Sequence, residues 1–259
     1  MTGRRNSFVV GSIGVLAVLG VLEAVARLGL LPERWFPPVT RILATLVDMV
    51  PDSGLWLEIG RTLQGWAIGL GIAALLGIPL GMAIASFEPL YRSLRAVIEF
   101  LRPIPSVALI PAAVLIFGIG MEMKIFLVAF AAVWPILFQS LYGVQDVGPA
   151  AKETARAYGL GPIARFRRVI LPSTLPYVAT GLRISSAIAL ILAVTAELVV
   201  GADGLGRAIV AAQTAAQVPT MYAFIMVTGT LGWLLNTIFQ QIETRVLHWH
   251  PSYREAVRT

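Results

Sequence analysis

Long uncharged, apolar runs separated by short polar intervals dominate the chain. A helix needs about 20 apolar residues to cross the hydrocarbon core of a bilayer. The pattern predicts six membrane spans, at about residues 8–26, 62–86, 104–119, 124–142, 177–200 and 221–240. The fold class that we expect is therefore all-α: one polytopic transmembrane domain over residues 1–259, with both termini in the cytoplasm.

The first run admits two other interpretations. Arg4-Arg5 before an apolar stretch resembles a twin-arginine export signal, and Ala24-Val25-Ala26 resembles a signal-peptidase site. Glu23 lies directly before that site, and a polytopic protein needs no cleaved signal. We favour an uncleaved first span.

Local patterns add detail to the spans. Gly65/Gly69 and Gly77/Gly81 in the second span are small-residue pairs that allow close helix approach, and Pro79 should kink this helix. Residues 40–50 repeat apolar side chains at a helical period, but they include Asp48 and are too short to span. They predict an interfacial helix on the periplasmic side.

The third predicted span is short and rich in proline. Pro103, Pro105 and Pro111 break its helical hydrogen bonding. Irregular backbone at membrane depth is tolerated only where protein or a water-lined cavity satisfies it. These prolines indicate either a water-lined pathway through the protein or simple packing kinks.

The longest polar interval of the second half, residues 149–172, lies between two apolar spans. Residues 150–158 favour a helix, Gly159 and Gly161 should end it, and Pro162 should begin a second helix that Pro172 stops. An ordered loop of this length between spans usually docks a partner.

Composition agrees with a membrane protein. The chain is 57% hydrophobic and 13% charged, with a mean hydropathy of +0.80, whereas soluble domains carry about 25% charged residues. In the six-span arrangement, 14 of the 20 basic residues lie on the inner face, as the positive-inside rule requires. The net charge of +6 therefore indicates topology and contact with the lipid bilayer, not nucleic-acid binding.

One acidic residue lies within a predicted span. An intramembrane carboxylate such as Glu197 is by default a functional candidate. The alternative, which we favour, is that Glu197 caps or pairs with the following turn, residues 201–206, and holds an outer gate without touching substrate. Gly204 and Gly206 belong to that turn.

Several function classes have no support in the sequence. The only lysines are Lys124 and Lys152, and neither follows a phosphate-binding loop. No nucleophile motif is present, no span holds a paired acidic motif, and the chain has no cysteine. His248 and His250 have no third ligand nearby, so we expect a solvated tail and no metal site. We expect the chain not to be an enzyme and to bind no cofactor itself.

The polar segment carries a specific motif. Its residues read Glu153-Thr154-Ala155, then Gly159, then Val169-Ile170-Leu171-Pro172. This resembles the Glu-Ala-Ala…Gly…Ile-x-Leu-Pro motif in permease subunits of binding-protein-dependent ABC importers, with Thr154 and Val169 as mild departures.

Further stretches resemble the sulfonate, taurine, nitrate and bicarbonate branch of that family. They are Gly77-Ile78-Pro79-Leu80-Gly81, Arg102-Pro103-Ile104-Pro105 through Ile110-Pro111, Leu171-Pro172…Leu175-Pro176…Thr180-Gly181-Leu182-Arg183, Ala196-Glu197 and Gly204-Leu205-Gly206. The resemblance covers about residues 35–250.

The resemblance implies a type I importer permease that works by alternating access. The implied partners are a dimer of ABC ATPase subunits that use ATP and Mg, a second permease copy, and a periplasmic or lipid-anchored solute-binding protein. The implied ATPase-coupling residues are Glu153, Thr154, Ala155, Arg156, Gly159, Leu171 and Pro172. The implied pathway or gate residues are Pro103, Pro105, Pro111, Glu197, Gly204 and Gly206.

Other functions stay open at this point. A stand-alone channel or secondary transporter often shows inverted repeats and midplane carboxylates, which we do not find here. A membrane scaffold that recruits a soluble partner is a second alternative. Within the ABC class, a thiamine pyrimidine precursor or an aromatic acid competes with a small oxyanion as the substrate.

Overall fold

The structure, a computed structural model, describes residues 2–101 and 103–247, with side chains described at residue 11 and, apart from residue 102, from residue 13 to 247. Within these ranges every regular element is helical. The α-helices are α1 (Thr2–Arg27), α2 (Val39–Met49), α3 (Ser53–Ser86), α4 (Glu88–Leu101), α5 (Ile110–Phe117), α6 (Met121–Gln145), α7 (Pro149–Ala157), α8 (Pro162–Arg165), α9 (Leu171–Val200), α10 (Leu205–Thr214) and α11 (Val218–Val246). A 3₁₀ turn (Ser106–Leu109) precedes α5, and a π-helical turn (Phe166–Ile170) joins α8 to α9.

The core of the fold is a three-helix unit in which α6 packs against both α3 and α9. The four glycines predicted for close approach all lie on the face of α3 that contacts α6. A Cβ added at Gly69 would lie 2.6 Å from the Val128 side chain, and one at Gly77 would lie 3.0 Å from Ile136. Gly65 and Gly81 likewise face α6, so the predicted small-residue contacts are confirmed.

Four helical stretches are long and apolar enough to cross a membrane within the described residues: Ser53–Ser86, Met121–Gln145, Pro162–Thr214 and Val218–Val246. Their helices contain the predicted spans 62–86, 124–142, 177–200 and 221–240 and extend beyond them. The predicted interfacial helix at 40–50 coincides with α2. Helix α1, which contains the predicted span 8–26, is joined to α2 by Glu23, whose carboxylate accepts hydrogen bonds from the Thr40 backbone N–H and hydroxyl.

The third span does not form as predicted. Residues 104–119 hold only the 3₁₀ turn and the eight-residue helix α5, which is too short to cross a bilayer alone. The preceding helix α4 meets this unit at an 80° bend, so the two together make one bent candidate span. Proline explains the break, because Pro103 and Pro105 cannot donate the backbone hydrogen bonds that a continuous helix needs.

The prediction that Pro172 stops a helix is wrong. Residues 162–200 are helical throughout, and Pro172 lies in the first turn of α9. In the π-helical turn before it, the backbone N–H of Leu171 bonds to the carbonyl of Phe166, five residues back. This wider turn, followed at once by a residue without an N–H, lets the chain pass through proline without ending the helix. Helices α4 and α10 were not predicted at all.

Candidate functional site

A buried ion pair joins α6 to α9 at one end of the bundle, which we call the Lys124 end. The ammonium group of Lys124 lies 2.6 Å from the Glu197 carboxylate, and the two side chains are 1% and 0% exposed. A lone charge buried in this way would be strongly unfavourable, so each side chain depends on the other.

Backbone and hydroxyl groups complete the hydrogen bonding of this pair. Lys124 also donates to the carbonyl of Asp203 at 2.6 Å. Glu197 accepts from the Thr62 hydroxyl at 3.0 Å and from the Gly206 backbone N–H at 2.9 Å. The Thr62 hydroxyl oxygen in turn accepts from the Leu205 backbone N–H at 2.9 Å. The cluster thus ties α3, α6 and α9 to the turn before α10 and to the first residues of α10 itself.

Two glycines allow the close packing around Glu197. Gly204 has φ +147°, and a Cβ there would collide with that carboxylate. A Cβ at Gly206 would collide with the Val194 carbonyl. Of the predicted pathway residues, Glu197, Gly204 and Gly206 therefore come together. The interpretation that Glu197 pairs with the following turn is confirmed, and its role in a gate stays a prediction.

Sequence reasoning missed Lys124 and Thr62. The available signal was that Lys124, one of only two lysines, begins a span at the end where Glu197 finishes its own. Nearer the surface, two arginines and two acidic residues form a closed ring of ion pairs around the cluster. The members are Arg61, Asp203, Arg207 and Glu58, with successive N–O distances of 3.3, 3.1, 2.8 and 3.1 Å around the ring.

The predicted pathway prolines lie elsewhere. Pro103, Pro105 and Pro111 are exposed and flank the 3₁₀ turn before α5, outside the Glu197 cluster. Arg102, which begins their motif, and the His248–His250 tail lie outside the described residues.

The opposite end of the bundle carries residues 149–172, which we call the coupling segment. Pro149 begins α7 in its first turn, and Gly159 ends it with φ +72°. The Leu160 N–H bonds to the Ala155 carbonyl and the Gly159 N–H to the Arg156 carbonyl, which together form a Schellman cap. The predicted helix break at Gly159 is confirmed, as is the start of a helix at Pro162.

The predicted coupling residues differ in their exposure to solvent. Glu153, Thr154, Arg156 and Gly159 are exposed, whereas Ala155 is buried. Leu171 packs against the hydrophobic cluster of Met82, Val144 and Val178 and is therefore part of the core. Two large side chains beside α7, Tyr158 and Ile163, are each 83% exposed. The segment presents both charge and apolar surface.

Comparison with protein families shows which family the chain belongs to. Residues 77–248 match the model of the family described as binding-protein-dependent transport system inner membrane component. The chain belongs to this family. It is a transmembrane permease subunit of an ABC importer and a multi-pass protein of the bacterial inner membrane. A protein of this family is a transporter subunit and not a catalytic enzyme.

Individual relatives agree with that assignment. The taurine transport system permease protein TauC of Escherichia coli (strain K12) is 32% identical over 245 residues, which cover 92% of this chain and 89% of that protein. The nitrate import permease protein NrtB of Leptolyngbya laminosa is 32% identical over 196 residues, which cover 76% of this chain and 70% of that protein.

Solved structures share the fold. A chain of the MetNI methionine ABC transporter in an inward-facing conformation aligns with a TM-score of 0.65 and 22% sequence identity, covering 75% of this chain and 98% of that one. At this identity the similarity supports the fold alone.

Proposed function

We propose that this permease couples ATP hydrolysis on a separate cytoplasmic ATPase to the import of a small oxyanion. The observation that carries the coupling role is the exposed surface of α7. Glu153, Thr154 and Arg156 point away from the core, and a Schellman cap at Gly159 holds the end of their helix. An ordered, exposed helix between two long spans suits docking into a groove on a soluble partner.

Two ATPase subunits would sit beneath two copies of this permease, and a solute-binding protein would dock at the Lys124 end. ATP and Mg would be bound by the ATPase alone. Closure of the ATPase dimer would draw the two α7 helices together, and the Lys124 end of the permease pair would open. This is alternating access, in which one rigid bundle moves against its copy.

The substrate class comes from the relatives, whose names refer to taurine, which is an aminosulfonate, and to nitrate. We therefore place a sulfonate, taurine, nitrate or bicarbonate first. A thiamine pyrimidine precursor or an aromatic acid is the second candidate within the same class.

Glu153→Arg tests the coupling role. Glu153 is exposed, so the variant should insert and fold normally, while a positive charge replaces the acid that faces the ATPase. We expect co-purification of the ATPase in mild detergent to fall to background, and ATP-dependent uptake to be lost with it. Native mass measurement of the wild-type complex should show two copies of this chain with two ATPases.

Glu122→Arg is the matched control, because Glu122 is also exposed but lies in the first turn of α6 at the Lys124 end. This variant should retain the ATPase. Full ATPase binding by Glu153→Arg would remove α7 from the coupling interface. A wild-type chain that transports without ATP would instead favour a channel or secondary transporter.

A further inference from the structure

Helix α4 has three distinct faces along its length. Tyr91, Leu94 and Ile98, which are three or four residues apart and so share one side of the helix, form the face that packs against the bundle. A second face is apolar but exposed, and a third is charged; these two lie roughly 150° apart around the helix. The exposed apolar face consists of Leu90, Val97 and Phe100, and the charged face consists of Glu88, Arg92, Arg95 and Glu99.

The packing of α4 places it across the end of the bundle that carries the coupling segment. Ile98 lies in one hydrophobic cluster with Ile84, two residues before the end of α3, and Leu141, four residues before the end of α6. Ile98 is eleven residues after Phe87, so an upright α4 would bring it roughly eleven residues back along α3, near residue 76. Because Ile98 packs at the end of α3 instead, α4 runs across the helix ends and not along them.

The connection to the next helical unit agrees with this orientation. Helix α4 meets the unit of the 3₁₀ turn and α5 at an angle of 80°. That unit approaches the Lys124 end, where Ile110 and Ala113 share a hydrophobic cluster with Met123 and Leu127 of α6. The chain therefore turns into the membrane only after Leu101, and α4, the first part of the bent pair, lies close to the membrane plane.

Lipid is the partner that fits the exposed apolar face. Val97 and Phe100 are 50% and 73% exposed. Helix α4 begins two residues after Ser86, the last residue of the spanning helix α3, and is therefore at the level of the membrane surface. An amphipathic helix in that position buries its apolar side about 5–10 Å into the boundary between headgroups and acyl chains and keeps its charged side in water.

The charged face of α4 is neutral overall. Arg92 lies 2.8 Å from the Glu88 carboxylate, and Arg95 lies 2.7 Å from the Glu99 carboxylate. Both pairs have the (i, i+4) spacing that stabilises an exposed helix in water. Since each arginine is already paired, α4 offers no excess charge to an acidic protein surface or to anionic lipid. Its attachment to the membrane therefore depends on apolar contact.

We propose that α4 is an in-plane helix of the membrane interface, which inserts Leu90, Val97 and Phe100 among the lipid chains at the coupling end of the bundle. The third membrane crossing then begins after α4. This inference depends neither on the substrate nor on the ATPase, so it stands or falls separately from the proposed function.

Spin-label depth measurements test this orientation, because the native chain contains no cysteine. Leu90→Cys and Val97→Cys place a nitroxide label on the apolar face of the full chain in lipid nanodiscs, and Arg92→Cys and Glu99→Cys place one on the charged face. All four positions are exposed, so the labels leave the packed face intact. Power saturation with oxygen, which partitions into lipid, and with a nickel chelate, which stays in water, gives the depth of each label. Leu75→Cys, exposed within the span of α3, is the deep reference.

We expect the Leu90 and Val97 labels to lie at the same shallow depth and the Arg92 and Glu99 labels to lie in water. An upright α4 would place the Val97 label about 10 Å deeper than the Leu90 label, because seven helical residues rise by about that distance. A depth difference of that size would overturn the in-plane orientation. Equal chelate accessibility at Val97 and Arg92 would overturn the lipid contact. A Val97 label shielded from both reagents would show that protein covers this face, which would also overturn the proposal.

Lipid composition tests the kind of contact. The same labels are measured in nanodiscs of phosphatidylcholine alone and of phosphatidylcholine with phosphatidylglycerol, which is anionic. Because the charged face is neutral overall, we expect the depth of the Val97 label to be the same in both. A Val97 label that enters the lipid only when phosphatidylglycerol is present would show electrostatic attachment and would overturn the apolar contact.

Discussion

The two ends of the bundle place their polar residues in opposite environments, one buried and one exposed. At the Lys124 end, Lys124, Glu197 and Thr62 are fully buried and satisfy one another. In the coupling segment, Glu153 and Arg156 are exposed, and the described structure assigns neither an ion pair. The first arrangement holds helices together, whereas the second leaves charged groups free for another molecule.

This difference in burial separates polar residues with a structural role from polar residues that can bind a partner. Glu197 is the residue that intramembrane position marks as functional, yet in this conformation its carboxylate is completely enclosed. Contact with solute would require the cluster to open. The exposed acid Glu153, which its position alone would assign to an ordinary loop, is better placed to bind a partner.

The largest effect is expected from breaking the buried ion pair. Glu197→Leu leaves the buried Lys124 ammonium with only neutral carbonyl acceptors, which should cost about 3–5 kcal/mol of the free energy of unfolding. Equilibrium unfolding in mixed micelles of dodecyl maltoside and SDS measures the change. The double variant Lys124→Met/Glu197→Leu should recover much of the loss. Wild-type stability in the single variant would show that the pair does not hold the helices.

A smaller effect should follow from overfilling the same contact. The Cβ of Gly65→Ala would collide with the Lys124 side chain, which cannot swing away while its ammonium is bonded to Glu197 and the Asp203 carbonyl. We expect a loss of about 1–3 kcal/mol in the same unfolding assay. Gly71→Ala, on the same helix but facing open space, should be near neutral. Equal stabilities for the two variants would contradict the close packing of α3 on α6.

The smallest effect concerns the coupling segment. Gly159→Val places a branched side chain at φ +72°, which should cost about 1–2 kcal/mol locally and fray the end of α7. We expect faster hydrogen exchange in α7 and about five- to thirtyfold weaker ATPase binding, with the unfolding of the bundle unchanged. Gly161 has φ −62°, so Gly161→Val serves as the control and should behave as wild type. If the two variants bind the ATPase equally well, the cap does not shape the docking surface.

Sequence patterns predicted the long helices and the glycine contacts correctly, because both depend on local composition. An uncharged run indicates a membrane span, and glycines four residues apart indicate a close helix contact. Neither prediction needs knowledge of the fold. The predictions were wrong at Pro172 and in the third span, because proline can either break a helix or be accommodated within it. At Pro172 a π-helical turn lets the helix continue, while at Pro103 and Pro105 the helix breaks. Only the surrounding packing distinguishes these outcomes.

The amino-acid sequence by itself determined that this is a helical membrane protein with an exposed, glycine-capped segment between two spans, because hydrophobic runs and caps are local properties. The tertiary structure alone decided that Lys124, Thr62 and Glu197 meet, since they are separated by more than sixty residues and come from three helices. Burial makes such contacts necessary, because a polar group removed from water must form its hydrogen bonds or ion pairs within the protein.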